Sequence, residues 1–211
     1  MVMPEQPTYW SQVLDHLGLV AGMFDELGIG DVIDHATQQD PEKRDLTAGE
    51  AVKAMVLNGL GCINQALYLV PRFFQNTPTN RLISPRVAPE PLHDDALGRA
   101  LDTLDAYGVT ALYSLIAATA ATRLDLRPTS RHLDTTSVHV DGRDHRDEPP
   151  AEPVVPLTKG DSREHRPDLN HVMLELLVEH QAGIPVLMKP LSGNSRDPQE
   201  CGQVIQAHVT Q

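Results

Sequence analysis

The sequence predicts an α+β protein in which an all-α N-terminal domain is followed by a strand-rich C-terminal domain. Apolar residues recur at helical spacing through most of residues 9–124. After Pro128 the composition changes, and the Thr- and Val-rich segment Arg131–Val140 is typical of a strand. We therefore place a helical domain at residues 1–128 and a second domain at residues 129–211.

The charge of the chain argues against a protein that simply coats nucleic acid. Its 17 basic and 29 acidic residues give a net charge of −12, and the acidic excess is present in both domains. No apolar run is long enough to cross a bilayer, and the N-terminus lacks the pattern of a signal peptide. Cys62 and Cys201 lie far apart in no metal-binding spacing, so we expect a cytoplasmic protein with reduced thiols and no membrane partner.

The first part of the helical domain is predicted to contain short helices punctuated by glycine. Two or three helices cover residues 9–38, and the glycines that interrupt their apolar pattern are Gly18, Gly28 and Gly30. Thr47, followed three residues later by Glu50, has the sequence of a capping box. It predicts a helix over residues 51–60.

The second part is predicted to contain three further helices, at residues 64–75, 94–106 and 110–124. Pro71 is expected to kink or split the first of these, and the Asp94-Asp95 pair is expected to cap the second. The third helix is almost wholly apolar, so we expect the other helices to bury it. Residues 76–91 contain four prolines and are predicted to be irregular.

The C-terminal domain is predicted to begin with three strands in a meander. Residues 131–140 form the first strand, and residues 171–180 the second, although their Leu and Glu content leaves a helix open. Residues 184–191 pair back on the second strand as a hairpin. A polar excursion is expected at residues 142–168, and a helix begins at Asp197-Pro198.

Asp134 stands in the middle of the first predicted strand. A carboxylate buried there is costly unless it is paired or holds a metal ion, because it loses its hydration. One interpretation is a structural Asp satisfied by backbone donors or by a neighbouring Arg, and the other is a metal ligand. Three strands in a meander, with an Asp at the centre of the first, are the opening of a ribonuclease-H-like fold.

The resemblance becomes specific in four segments. They read HLGLVAGMFDELGIGDVIDH, LTAGEAVKAMVLNGLG, HLDTTSVHVDG and DSREHRPDLNHVMLELLVEHQAGIPVLMKPLSGNSRD. Together they resemble bacterial insertion-sequence transposases of the DDE class, in the branch whose N-terminal region is a helical domain of unknown function. The resemblance implies that the second domain is the first half of a ribonuclease-H-like α/β domain.

This resemblance also implies a chemistry. Transposases of the class use three carboxylates to hold two Mg²⁺ (or Mn²⁺) ions, which activate water or a 3′-hydroxyl against a DNA phosphate. Asp134 matches the first of these carboxylates, as a catalytic and metal-binding residue. The implied partner is DNA at the ends of the insertion sequence, together with another copy of the chain or a full-length transposase.

The motifs of the second and third acids are not found in these 211 residues, so the chain is expected to be truncated after the third core strand and inactive alone. Two other interpretations remain open: a non-catalytic derivative that regulates transposition by binding element ends or intact transposase, and an inert remnant. The sheet of such a chain would have an uncovered edge, which predicts a marginally stable second domain.

Other polar residues are candidates for DNA contacts or for structural roles. A local basic patch at Lys159, Arg163, His165 and Arg166 could contact DNA phosphates, or could be a solvated loop. Asp197 is most simply a helix cap, and Asp141 a turn residue.

Two His-x-Asp pairs give a further alternative. Residues two apart on a strand share a face, so His132 with Asp134, or His139 with Asp141, could bind one ion in a metal-dependent hydrolase.

Overall fold

The computed structural model describes residues 11, 14–61, 67–127, 130–140, 155–159 and 168–193. It divides into two compact units, Met1–Leu112 and Tyr113–Gln211, which we call the helical unit and the sheet unit. Helices fill the described part of the N-terminal half, and a three-stranded sheet follows them. The α+β class predicted from the sequence is therefore confirmed.

Six helices lie in the described part of the helical unit. They are α1 (Leu17–Glu26), α2 (Ile29–Ala36), α3 (Ala48–Leu60), α4 (Val70–Phe74), α5 (Thr79–Leu82) and α6 (Asp94–Tyr107). Gly28 separates α1 from α2 in a left-handed conformation, with φ at 65°, which glycine adopts without steric cost. Gly18, in contrast, lies inside α1 and does not interrupt it.

The capping box at the start of α3 is confirmed. The Glu50 N–H donates to Thr47 Oγ1 at 3.2 Å, and the Thr47 N–H donates to Glu50 Oε2 at 3.0 Å. The Arg86 Nε donates to the same carboxylate at 2.9 Å. Asp34, on α2, accepts the N–H of Gly49 at 2.7 Å. Four side chains therefore hold the first turn of α3, whose N–H groups have no partner within the helix.

The region between α3 and α6 departs from the prediction in three places. The helix expected at 64–75 is found among the described residues as a 3₁₀ turn followed by α4, so the segment is split, and Pro71 lies in the first turn of α4. The short α5 lies in the segment predicted to be irregular. The cap of α6 is His93, whose Nδ1 accepts the Ala96 N–H at 3.3 Å, instead of the Asp94-Asp95 pair.

A single apolar cluster forms the core of the helical unit. It receives small and large side chains from α1, α3, α4, α5 and α6, together with the loop before α6. Its fully buried members are Ala51, Ala54, Leu57, Val70, Phe74, Leu82, Val87, Leu92 and Leu97. The alanines of α3 let the neighbouring helices approach closely, so α3 is the central helix of this unit.

One charged residue shares this interior. The Lys53 side chain is 4% exposed, and its Nζ donates to Asp25 Oδ1 at 2.6 Å and to the Ile83 carbonyl at 3.2 Å. It also lies 5.9 Å from the centre of the Phe24 ring. The Asp25 side chain is 64% exposed, so the two partners differ greatly in hydration.

We expect Asp25→Asn to destabilise the protein by about 2 kcal/mol, because it leaves a buried ammonium without its counter-charge. Lys53→Met keeps the apolar stem and leaves a solvated carboxylate and one carbonyl, that of Ile83, without the ammonium, so it should cost about 1 kcal/mol or less in the free energy of unfolding. Chemical denaturation of the two single variants and the double variant measures this asymmetry. Equal losses in both single variants would contradict it.

The last helix, α7 (Val109–Arg123), begins in the helical unit and continues into the sheet unit. Its side chains are only partly buried: Leu112, Ala117 and Ala120 are inside, but Leu115 is 42% exposed. The expectation of a buried helix is therefore wrong, because the apolar sequence is shared between covered and uncovered faces. Among the described residues, no single helix is long and apolar enough to cross a membrane; only α6 and α7 taken together, as a broken pair, reach that length and composition.

The sheet unit contains β1 (Arg131–Val140), β2 (Asn170–Glu179) and β3 (Pro185–Ser192), in the order β1-β2-β3. Both pairings are antiparallel, which confirms the meander and excludes the helix considered for residues 171–180. Within the sheet unit, Tyr113 of α7 donates its hydroxyl to the Pro185 carbonyl at 3.1 Å, and burial raises the pKa of that hydroxyl.

Part of the predicted excursion contacts the sheet. Thr158 forms a β-bridge with His171, in which each N–H donates to the other carbonyl, at 3.2 and 2.9 Å. A Cβ atom added at Gly193 would clash with both of these carbonyl oxygens. Only glycine therefore fits beside this bridge. The helix predicted from Asp197 lies outside the described residues.

Candidate functional site

Asp134 is exposed at the centre of β1. Its Oδ1 accepts the N–H of Thr135 at 2.8 Å. The expectation of a buried carboxylate is wrong for a simple geometric reason: successive strand residues point to opposite faces, and here it is Thr135 that is buried. The carboxylate of Asp134 therefore stays within reach of solvent.

The described neighbours of Asp134 do not make a site for two Mg²⁺ ions. Its partners in the ladder on the same face are Leu176 of β2 and Met188 of β3, and its neighbours along β1 are His132 and Thr136. Asp134 supplies the only carboxylate among the described residues of this face. Two Mg²⁺ ions require several oxygen ligands, so the described residues do not fit the pair of ions.

Most of the other polar residues considered in the sequence lie outside the described residues. Lys159 is exposed, but Arg163, His165 and Arg166 lie outside the described residues, as do Asp141 and Asp197. The basic patch therefore stays a prediction.

Polar residues dominate the opposite face of β2. His171, Glu175 and Glu179 are each 1% exposed and alternate with the more apolar Met173 and Leu177. Both ring nitrogens of His171 are buried without a hydrogen-bond partner among the described residues. Glu175 lies between two partners in the ladder, Thr135 of β1 on one side and Lys189 of β3 on the other. Sequence reasoning missed this buried polar face, although the alternation of residues 171–179 signals it.

Glu179 has a structural role in the hairpin between β2 and β3. Its carboxylate accepts the N–H groups of Ile184 at 3.0 Å, Ala182 at 2.7 Å and Gln181 at 2.6 Å. These backbone hydrogen bonds, that of Ile184 foremost, lower the pKa of Glu179. The ionised carboxylate thus organises the turn.

We expect Glu179 to make the hairpin acid-sensitive. Because its pKa is lowered by folding, its contribution is fully present above the ordinary Glu pKa of 4.5 and is lost as the pH falls through the lower folded value. Glu179→Gln should speed amide hydrogen exchange at Ala182 and Ile184 at neutral pH. In this variant the protection of these amides should no longer fall as the pH is lowered. Asp125→Asn, at an exposed carboxylate of the same unit, is the control. Unchanged exchange in Glu179→Gln would contradict this role.

Two pairs of histidines bridge β1 and β2. His132 Nε2 lies 3.2 Å from His180 Nδ1, with ring centres 5.4 Å apart, and both residues are exposed. His139 and buried His171 are direct partners in the ladder, with ring centres 6.5 Å apart. The register brings His132, which shares a face of β1 with Asp134, to His180, 48 residues away, and the metal-binding pair of His132 with Asp134 stays a prediction.

The helical unit contains a polar cleft of about 480 Å³ between the segment before α3 and α6. Its charged lining is mixed in sign: Lys43, Arg44, Asp45, Glu90, His93 and Arg99. His93, Asp94 and Asp95 bring one ligand atom each within 4.8 Å of one another, but all three are exposed and His93 already caps α6. This arrangement explains the start of α6 without a bound ion.

A second cleft of about 400 Å³ is apolar. It is lined by Leu19, Val20, Met23, Phe24, Leu27, Ile29 and Val56. Leu19 is 80% exposed, although it lies on α1 beside residues of the core. An exposed apolar surface of this kind is typical of a protein contact.

Comparison with known proteins gives a family match for the helical part of the chain. No curated protein and no solved structure matches the chain. A family profile described as a domain of unknown function, DUF4277, matches residues 9–118, which span α1 to α6 and most of α7. This match covers just over half of the chain, so the chain belongs to the DUF4277 family.

Proposed function

We propose that the chain is the N-terminal part of a DDE transposase, a cytoplasmic enzyme that moves an insertion sequence by metal-dependent DNA cleavage and strand transfer. The observation that supports this most is the placement of Asp134. An exposed carboxylate stands at the centre of the first strand of an antiparallel three-stranded meander, in the segment His132-Leu133-Asp134-Thr135-Thr136. Carboxylate oxygens are the ligands that Mg²⁺ prefers, and an exposed one is open to an ion that arrives from solvent with part of its water shell.

The 211 residues alone supply one of the three acids that this chemistry needs. A single carboxylate and water do not hold two Mg²⁺ ions in the geometry that stabilises both the attacking and the leaving oxygen. We therefore expect no cleavage or joining of terminal-repeat DNA by the isolated chain with Mg²⁺ or Mn²⁺. A metal-dependent product would contradict the assignment of the other two acids to a further segment.

The decisive observation is the genomic DNA after the codon for Gln211, translated in all three forward frames. The proposal expects a strand that ends in Asp and, farther on, a helix carrying a Tyr-Arg-Glu-Lys-type motif. If both were absent from every frame, the proposal that this chain is the N-terminal part of an active transposase would be wrong. That result would leave the second candidate, a non-catalytic derivative.

The apolar cleft on α1 favours this second candidate as a protein-binding regulator. Its occupant would be the helical domain of a second molecule, either another copy of this chain or intact transposase. The acidic balance of the first 130 residues, 9 basic against 16 acidic, disfavours DNA as the direct target. Capture of intact transposase by the chain, without a gel shift of terminal-repeat DNA, supports the regulator; the reverse result opposes it.

A further inference from the structure

We infer that His132 and His180 form a binding site for one divalent transition-metal ion of the kind that prefers imidazole, such as Zn²⁺ or Ni²⁺. The inference does not depend on the proposed transposase activity. It rests on the distance between two ring nitrogens, on their exposure and on the ladder that holds them.

The distance suits chelation. Two nitrogens that each lie about 2.1 Å from a tetrahedral ion are about 3.4 Å apart. His132 Nε2 and His180 Nδ1 lie 3.2 Å apart as hydrogen-bond partners, so an ion that replaced the shared proton would meet two nitrogens at nearly the separation of a chelate. The two nitrogens of an imidazole ring point in different directions, so the remaining nitrogen of each ring is directed away from the nitrogen that faces the partner ring. Those outer nitrogens can carry the protons when the inner ones bind the ion.

The backbone prearranges the pair. His132 lies in β1 opposite Val178 of β2, and His180 follows β2 directly. The His180 N–H donates to the carbonyl of Ser130 at 3.1 Å, which fixes the end of β2 beside the start of β1. An ion therefore meets two ligands whose separation is already set, and the ordering cost of chelation is small.

The chemistry of the pair selects the class of ion. Imidazole nitrogen is a good ligand for Zn²⁺, Ni²⁺ and Cu²⁺, whereas Mg²⁺ prefers oxygen and retained water. Both histidines are exposed, so an ion can enter from solvent and water can complete its coordination. Asp134 lies on the same face of β1, but it does not join the two rings in a close group of three ligand atoms. The inferred site therefore consists of the two imidazole rings without the Asp134 carboxylate.

The test is Zn²⁺ binding to the full 211-residue chain, without an affinity tag, measured by calorimetry after removal of metal with a chelator. His132→Gln and His180→Gln should each weaken this site by about a hundredfold, because a chelate loses one of two linked ligands. His35→Gln, at an exposed histidine on α2, and Asp134→Asn should leave it unchanged. Mg²⁺ should not compete for it.

A second measurement uses no variant. Zn²⁺ should shift the NMR signals of the His132 and His180 rings together, at the same metal concentration. It should also raise the unfolding temperature of the chain by mass action. Wild-type affinity in either His→Gln variant, or ring signals that Zn²⁺ leaves in place, would overturn the inference. Loss of Zn²⁺ binding in Asp134→Asn alone would assign the ion to the carboxylate instead.

Discussion

The proposed function predicts that Asp134→Asn abolishes Mg²⁺-dependent DNA cleavage in a longer chain that carries all three acids. The substitution removes the negative charge that the first metal ion would require under this proposal, while the amide has nearly the same shape. A loss of about 4 kcal/mol of metal-derived stabilisation corresponds to about a thousandfold in rate. Cleavage of a labelled terminal-repeat substrate, followed over several Mg²⁺ concentrations, measures the effect.

The structure makes this substitution easy to interpret. Asp134 is exposed, and the Asn oxygen can still accept the N–H of Thr135. The unfolding temperature should therefore stay close to that of the unsubstituted chain, so that lost activity cannot be ascribed to unfolding. Asp125→Asn, at a carboxylate that is 81% exposed, provides the matched control. Full cleavage by Asp134→Asn would remove Asp134 from the metal site and with it the main support for the proposed function.

Local signals predicted the fold well where they were self-contained. The capping box at Thr47 and Glu50, the helix break at Gly28 and the β2–β3 hairpin each depend on a few adjacent residues, and each is found in the structure. The extent of the 64–75 helix and the capping residue of α6 were not predicted correctly, because proline placement and a histidine acceptor set helix boundaries that depend on context.

The candidate site was harder to predict because it depends on register. The sequence located Asp134 in β1 but not the face on which it lies, and a shift of one residue moves every side chain to the other face. The pairing of His132 with His180 depends on the same register across 48 residues. The burial of Glu179 could not be inferred from its position in β2 alone. It depends on backbone N–H groups of the following turn, which donate hydrogen bonds to its carboxylate.

The contact between α2 and α3 depends on glycine in a way that makes Gly49→Ala strongly destabilising. A Cβ atom at Gly49 would lie 2.5 Å from the carbonyl oxygen of Gly30 and 2.9 Å from its Cα. Both neighbouring atoms are backbone, so no side-chain rotation relieves the clash and the two helices must separate. The same Cβ would lie 3.0 Å from Asp34 Oδ1, the acceptor of the Gly49 N–H.

The expected loss for Gly49→Ala is more than about 3 kcal/mol in the free energy of unfolding, because overpacking here is added to a weakened cap. Gly59→Ala, in the same helix, meets no atom within 4 Å and should stabilise the protein by up to about 1 kcal/mol through helix propensity. Urea denaturation followed by circular dichroism compares the two. Because both substitutions add the same methyl group to α3, their opposite signs would isolate the α2–α3 contact, and equal effects would refute it.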